Sequence, residues 1–391
     1  MRSIFPIVLL GTLLLLACNS ASTTADTKTP AGPSDASAAA DVSSSLESDA
    51  NAQPTDAAPQ AGGGFTSVRW GESSPLKRAR DHHTTFMVNT AAGRFLYVAG
   101  GRQLGAGTTN SVERAQVSEA DGSLSPWVDV GSLPSAAGGS AVAQDGPDGQ
   151  TVVLIGGTEQ NRSSTKVLVG TVDSAGNLAL SAGPSLAVPR FHATAAVVGK
   201  YVYVFGGFPD NSVFVGTDEI ERAELVDGRL GAWVSAGKLP ALYTHQATVA
   251  YRNSIYLISG TTTTAAGSLT QTPSILRSRV AVDGTLSSWE PAGALPAGRS
   301  THAATVSGAQ LVVAGGANGD NTIAYDELYV AGFASDGTLL PFRVVGREPV
   351  ARMHLHQAPM FQNHMYLAGG MSHDAAQGPR SEQRVDIATL E

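Results

Sequence analysis

One pattern of apolar and polar positions recurs along the chain: a mostly apolar run that ends on paired glycines. The copies end at positions 101, 157, 207, 260, 316 and 370, so that successive copies lie 50 to 56 residues apart. Only the fourth copy departs, because Ser259 replaces its first glycine. A fixed period of this size is typical of a repeat architecture, in which each copy folds as one supersecondary unit.

Each period predicts four short strands. An opening strand, led by histidine in most copies, precedes the apolar run, and an alternating strand such as residues 219–226 follows it. A turn and a last strand built on tryptophan complete the period. Asp-Gly is a strong hairpin signal, since the tight turn needs positive φ, and it occurs at Asp121-Gly122, Asp227-Gly228, Asp283-Gly284 and Asp336-Gly337. With no helical period in any segment, the sequence predicts an all-β propeller of four-stranded blades.

The tryptophans predict how the two ends meet. Trp127, Trp233 and Trp289 each lie 12 or 13 residues before an opening strand, and Trp70 lies 13 residues before His83. Trp70 therefore belongs to a fourth strand that has no first three strands before it, whereas the sixth copy stops without a fourth strand. We predict that residues 67–70 complete the last blade beside residues 381–388, which would close a six-bladed ring and remove an open sheet edge.

These features resemble the kelch-repeat family, which shares the Gly-Gly after the second strand, the tryptophan of the fourth and a period near fifty. The resemblance covers about residues 65–391 and implies a β-propeller. The second repeat departs most, with Leu180 where others carry tryptophan, and the fifth carries Phe342.

The amino-terminal sequence predicts where the protein is located in the cell. Residues 1–17 combine Arg2 with an apolar segment too short to span a membrane, as in a signal peptide. Leu15-Leu16-Ala17-Cys18 resembles a bacterial lipobox, which implies cleavage before Cys18 and its acylation; the alternative is an ordinary signal peptide with a chance cysteine. After Cys18, the stretch to residue 62 is small and polar and reads as a disordered tether. We predict a monomeric lipoprotein of the bacterial cell envelope, anchored in the outer membrane, with its propeller at 63–391.

Charge and cysteine content exclude several classes of function. The formal net charge is −8, and no run of Lys or Arg offers a nucleic-acid surface. Cys18 is the only cysteine, so the propeller can form neither a disulfide nor a thiolate metal site. The lack of a cysteine in the propeller also excludes the chemistry of galactose-oxidase-like kelch enzymes, which need a tyrosine joined to a cysteine beside copper. We predict no cofactor.

The opening strands supply candidate ligand residues. One interpretation is a rim of imidazole and guanidinium groups that captures a carboxylate, a sugar acid or a metal. The other is that each side chain bonds backbone in its own blade, which the repetition favours. We predict ligand-binding roles without assigning a catalytic residue or a metal centre. Five histidines occupy one equivalent position in their repeats: His83, His192, His245, His302 and His356. The arginines lie just upstream, at Arg80, Arg190, Arg299 and Arg352, or in the first long loop, at Arg102.

Two main functions fit this pattern. Long polar loops on one face favour a binding module for a glycan or a protein, and we prefer this to an enzyme. The alternative is a small-molecule enzyme resembling the periplasmic sialic-acid mutarotases, which needs an acid–base pair within reach of its substrate. Spacing alone does not place the loop residues Glu159, Asp210 and Asp320 in such a pair. A purely structural part of the envelope is a third hypothesis.

Overall fold

The computed structural model describes residues 64–145, 149–210, 212–319, 321–374 and 378–391. The predicted signal peptide, Cys18 and the predicted tether lie outside the described residues. Within these ranges there is no helix long and apolar enough to cross a membrane.

Short β-strands make up nearly all the regular structure of the described ranges. In chain order they are β1 Val68–Glu72, β2 Thr84–Thr90, β3 Gly93–Ala99, β4 Arg102–Gln103, β5 Gly107–Thr108, β6 Ser111–Val117, β7 Val128–Ser132, β8 Ala141–Gln144, β9 Thr151–Ile155, β10 Thr158–Glu159, β11 Arg162–Ser163, β12 Val167–Val172, β13 Leu178–Ala182, β14 Thr194–Val198, β15 Tyr201–Phe205, β16 Thr217–Val226 and β17 Arg229–Leu230. They continue with β18 Val234–Thr244, β19 Ala247–Tyr251, β20 Ser254–Ile258, β21 Thr261–Thr263, β22 Leu269–Gln271, β23 Ser274–Arg279, β24 Glu290–Ala294, β25 Ala303–Ser307, β26 Gln310–Ala314, β27 Glu327–Gly332, β28 Arg343–Arg347, β29 Met360–Phe361, β30 His364–Ala368, β31 Met371–Asp374, β32 Gly378–Ser381 and β33 Val385–Leu390.

In the part of the chain that the structure describes, these strands form five four-stranded antiparallel sheets and one seven-stranded sheet. We number them along the chain as sheet 1 (β2-β3-β6-β7), sheet 2 (β8-β9-β12-β13), sheet 3 (β14-β15-β16-β18 with β17, β21 and β22), sheet 4 (β19-β20-β23-β24), sheet 5 (β25-β26-β27-β28) and sheet 6 (β29-β30-β33-β1).

Sheet 3 departs from the expected four strands because β18 is long. It pairs with β16 from Val234 to Tyr243, with register shifts, and its last three residues also pair with the β21–β22 hairpin of the next repeat. The expectation of six four-stranded blades is therefore corrected: five sheets have four strands, and the third does not. Three of the other long loops between second and third strands also form small hairpins, β4–β5, β10–β11 and β31–β32.

The two ends of the described chain pair with each other. Strand β1 lies antiparallel to β33, with Val68 opposite Leu390 and Trp70 opposite Ala388. The Tyr366 hydroxyl of sheet 6 donates a hydrogen bond of 2.8 Å to the Gly122 carbonyl of sheet 1. Strand β33 therefore pairs with β30 on one side and with β1 on the other, so it is not an exposed edge strand of sheet 6.

Apolar side chains fill the layers between successive sheets. The second strand of each sheet is buried on both faces, which explains its continuous apolar run. Three of the four tryptophans lie immediately before their fourth strands rather than inside them, and Trp70 lies within β1. The opening strands of neighbouring sheets contact one another, so their first residues gather at the centre of the propeller-like ring.

Candidate metal centre

Main-chain hydrogen bonds join the residues that begin successive opening segments. The Gly139 N–H donates to the His82 carbonyl (2.6 Å), and the His192 N–H donates to the Gly139 carbonyl (3.1 Å). The His245 and Thr301 N–H groups continue the chain with bonds of 3.4 and 3.1 Å to the preceding residue of the series. These bonds join one residue from each of the first five repeats. We call these five positions, together with His354 at the matching position of the sixth repeat, the axial residues.

The axial residues share a left-handed backbone. Their φ angles lie between +54° and +66° at His82, Gly139, His192, His245, Thr301 and His354. Residues other than glycine rarely adopt this conformation, which costs of the order of 1 kcal/mol or more. Strain repeated at bulky residues around one point is typical of a functional site.

The sixth repeat brings two histidines to the centre instead of one. Both His354 and His356 have positive φ, and the Gln357 N–H closes a tight turn on the Leu355 carbonyl at 2.7 Å. The folded segment replaces the first part of the opening strand, because β29 begins only at Met360. Both imidazoles therefore face the same space.

The second repeat has glycine where the others place a side chain, and the reason is steric. A Cβ added at Gly139 would lie 2.2 Å from a ring carbon of Phe191. The Phe191 ring packs at 3.8 Å from His192 and at 6.0 Å from His82, measured between ring centroids. An aromatic ring from the third repeat thus occupies the place of the missing imidazole and packs against the histidines.

The imidazole rings lie against one another. Centroid distances are 3.9 Å for His82–His354, 4.9 Å for His82–His192 and 5.2 Å for His192–His356. One ring nitrogen each from His82, His192, His354 and His356 lies within 4.8 Å of the others; we call these four residues the histidine cluster. His245 stands beside the cluster, with its ring 3.9 Å from that of His192.

Several ring nitrogens of the cluster have no partner. His192 Nδ1, His354 Nδ1 and His356 Nε2 are buried and make no hydrogen bond within the described residues. A buried polar atom without a partner costs about 1–3 kcal/mol, and a ligand shared by the converging imidazoles could supply partners to three of them. At a tetrahedral zinc ion with bonds of 2.0–2.1 Å, neighbouring nitrogens lie about 3.4 Å apart, so the widest pair would close by roughly 1 Å.

His82 is oriented by an acidic residue. Its Nδ1 is hydrogen-bonded to a carboxylate oxygen of the buried Asp81, which leaves Nε2 available for a metal ion. Asp81 also accepts hydrogen bonds from Arg102 Nε at 2.9 Å and from the Ser381 hydroxyl. Metal-binding histidines commonly donate their second N–H to such a carboxylate.

Burial keeps these imidazoles in the form that binds metal. It lowers the pKa of His82, His192 and His354 well below the ordinary value near 6.5. It lowers the pKa of His356 to about 4 and that of His245 to about 3. The rings are therefore neutral at pH 7, as coordination requires.

The structure corrects the expected slot of five equivalent histidines. His192 and His245 are axial, but His83 and His302 follow the axial residues His82 and Thr301 by one position. Their side chains are almost fully buried inside the layers, against Gly101 and Gly316 respectively. His356 joins the centre only through the extra turn of the sixth repeat. His82 and His354 were missed, although each follows an arginine by two residues, as His192 does.

The four upstream arginines lie inside their own sheets. Each is at most 1% exposed, and each donates to the carbonyl of the first residue of the glycine pair, at Gly100, Gly206, Gly315 or Gly369. Arg80, Arg190 and Arg352 also pair with an acid on the third strand: Glu113, Glu221 and Asp386. These contacts match the interpretation in which each side chain bonds its own blade.

Glu348, beside Arg352, provides a test of this buried charge network. Burial, aided by Asp386, raises the pKa of Glu348 to about 8 although Arg352 Nε lies 3.6 Å from its carboxylate. A raised pKa means that the folded state binds more protons between about pH 5 and 8, so stability falls as pH rises through that range. We expect the melting temperature to fall more steeply from pH 5 to pH 8 in the wild type than in Glu348→Gln. Equal slopes for the two proteins would contradict this assignment.

The acidic loop residues do not converge with the histidine cluster as an acid–base pair. Glu159 is ion-paired with Lys166, and Asp210 accepts hydrogen bonds from Ser212 in its own turn. Asp320 lies outside the described residues.

Comparison with known proteins supports the fold. No family model matches the chain, and no curated protein matches it. A solved structure described as "Structure of YjhT" aligns with a TM-score of 0.59 and 14% sequence identity, over 80% of this chain and 95% of that chain. At this identity the match shows the β-propeller fold and nothing of the activity.

Proposed function

We propose that this protein is a metal-binding β-propeller of kelch type, and that the histidine cluster holds one divalent transition-metal ion at the centre of the ring. In this proposal sheet 3 counts as one extended blade, so that six blades surround the site. The carrying observation is the convergence of four neutral imidazoles, three of which have a buried nitrogen without a partner in the described ranges.

The donor set indicates which metals to expect. Imidazole nitrogen suits zinc, copper, nickel and iron, and affinity for such sites generally rises along the first row to copper. The sequence excludes thiolate ligands from the propeller, since Cys18 is the only cysteine. We therefore infer a nitrogen-ligated site that binds Cu²⁺ most tightly and also accepts Zn²⁺.

The site favours a small molecule over a large partner. Three of the four cluster histidines are buried, so a glycan or protein on the loop face could not reach the cluster without displacing its cover. A metal-bound small molecule is thus the function that the geometry supports best. The loop-face binding module and the sugar-acid isomerase resembling sialic-acid mutarotases stay predictions from the sequence, as does the structural role.

We also propose where the protein is located and in which state. Acylation of Cys18 and anchoring in the outer membrane rest on the sequence of residues 1–62, and a monomeric state completes the proposal. In this arrangement the propeller would bind its metal outside the cytoplasm, where a site without thiolates is insensitive to oxidation of cysteine.

Metal titration of the full chain tests the proposed function. After removal of metal by chelation, we expect one equivalent of Cu²⁺ or Zn²⁺ to bind per chain in calorimetry and to remain through gel filtration, as measured by elemental analysis. Cu²⁺ should produce an electron paramagnetic resonance spectrum with nitrogen hyperfine structure. Retention of no metal, or a spectrum of oxygen ligation alone, would exclude the proposal.

A further inference from the structure

A cavity of about 360 Å³ lies between sheets 1 and 2, next to the histidine cluster. His82 belongs to both the cavity wall and the cluster. Most of the wall is apolar, from Ala99, Leu133, Leu154, Val167 and Leu168. The exposed residues Lys166, Ala182 and Ser185 mark its solvent side.

The cavity stands where three other layers hold a buried ion pair. In sheets 1, 3 and 6 an arginine two positions before the axial residue meets an acid on the third strand. The second repeat has Ala137 at the arginine position and Leu168 at the acid position. The register shows the second equivalence, because Leu168 lies opposite Leu154 as Glu113 lies opposite Val98 and Glu221 opposite Val204.

Both replacements belong to the cavity wall. Alanine is much shorter than arginine, and leucine supplies no charge, so the layer loses both the volume and the ion pair that fill it elsewhere. Close packing is the rule in protein interiors, and a void this large is uncommon without a ligand. Its volume lies within the range of small-molecule pockets, roughly 300–1,000 Å³.

The wall chemistry defines the class of ligand. Apolar side chains without a buried acid disfavour a cation in the body of the cavity. His82, a proposed metal ligand, is the wall residue that also belongs to the histidine cluster. At the opposite, solvent side, Lys166 is already ion-paired with Glu159. An apolar body with an anionic head toward the metal ion would match both ends.

We propose that this cavity binds a small carboxylic acid with an apolar body, whose carboxylate approaches the metal ion of the histidine cluster. The inference rests on the proposed function for its head group and on the cavity alone for its apolar body. The space between sheets 1 and 2 is thus a ligand site that lacks the ion pair present in sheets 1, 3 and 6.

Octanoate is the probe, and 1-octanol is the uncharged control. We expect octanoate to bind the metal-loaded full chain at least tenfold more tightly than the metal-free chain in calorimetry, whereas octanol affinity should not depend on metal. The double variant Ala137→Arg/Leu168→Glu rebuilds the pair of the neighbouring layers and should weaken octanoate binding at least tenfold while retaining metal.

Two single variants keep the inference testable if the double variant misfolds. Ala182→Trp narrows the exposed rim of the cavity and should also weaken octanoate binding. Ala179→Trp lies on the same strand, is exposed and is outside the cavity wall, so it should bind octanoate as the wild type does.

The outcomes separate the two proposals. A chain that retains metal but binds no octanoate, or binds it equally in Ala182→Trp and Ala179→Trp, overturns the cavity inference and leaves the metal site intact. A chain that binds octanoate in the cavity but retains no metal overturns the proposed function and the placement of the carboxylate.

Discussion

Replacing His192 by asparagine is expected to weaken metal binding by at least about 100-fold, since loss even of a partner of a metal ligand commonly costs 10–100-fold. His192 has φ +58°, and asparagine is one of the few other residues that tolerate this conformation. The variant should therefore fold while losing one of four nitrogen ligands. Calorimetric titration of the metal-free protein with Cu²⁺ measures the effect.

Replacing two other histidines by asparagine provides comparisons for the metal affinity of His192→Asn. His245→Asn should weaken binding less than tenfold, because His245 touches the ring of His192 but stands outside the histidine cluster. His373→Asn should leave the affinity unchanged, because His373 is exposed on the β31–β32 hairpin. An affinity for His192→Asn equal to that of His373→Asn would show that the metal binds elsewhere.

The second large effect is expected at the joined ends. Replacing Trp70 by alanine should lower the free energy of unfolding by about 2–4 kcal/mol, because large-to-small changes remove buried contacts and leave a void. Trp70 lies opposite Ala388 and packs, with Phe65 and Val68, into the layer between sheets 5 and 6. Denaturant unfolding monitored by circular dichroism gives the value.

Arg69→Ala is the matched control on the same strand. Its side chain is exposed, and its ion pair with Glu391 at 3.5 Å is also exposed, so its loss should change stability by less than about 0.5 kcal/mol. Removal of residues 64–72 should be still more severe than Trp70→Ala, because it leaves β33 as an unpaired edge that favours aggregation. Equal stability of Trp70→Ala and Arg69→Ala would mean that pairing of the ends contributes little.

The repeat pattern predicted most of the fold because its signals are local. Apolar runs ending in Gly-Gly and Asp-Gly turns each depend on the conformation of a few neighbouring residues, which sequence reveals directly. The position of Trp70 predicted a fourth strand at the amino end of the propeller, where β1 now pairs with β33. The extension of sheet 3 could not be predicted, because it depends on pairing between β18 and a hairpin of the next repeat.

The candidate site was predicted only in part, because it depends on backbone angles that the sequence does not display. Aligning the histidines by the strand that follows them grouped His83 and His302 with His192, although the first two lie one residue beyond the axial position. The spacing Arg-x-His, present at His82, His192 and His354, would have found three of the four cluster members. His356 depends on the tight turn at Leu355, which no neighbouring motif indicates.

The cavity beside the histidine cluster can be explained by comparing sheet 2 with the sheets that contain a buried arginine. Arg80, Arg190 and Arg352 each bond a glycine-pair carbonyl and an acid in their own sheet. Where Ala137 and Leu168 stand instead, the structure has the cavity that His82 borders. The same repeat therefore yields sheets with a buried ion pair and a sheet that borders a cavity.

Anomalous scattering at the copper absorption edge, from crystals of the copper-loaded full chain, would locate the metal ion. We expect one strong peak at the centre of the propeller, about 2 Å from one ring nitrogen each of His82, His192, His354 and His356. A centre without an anomalous peak, or copper bound only at exposed residues, would contradict the proposed metal site.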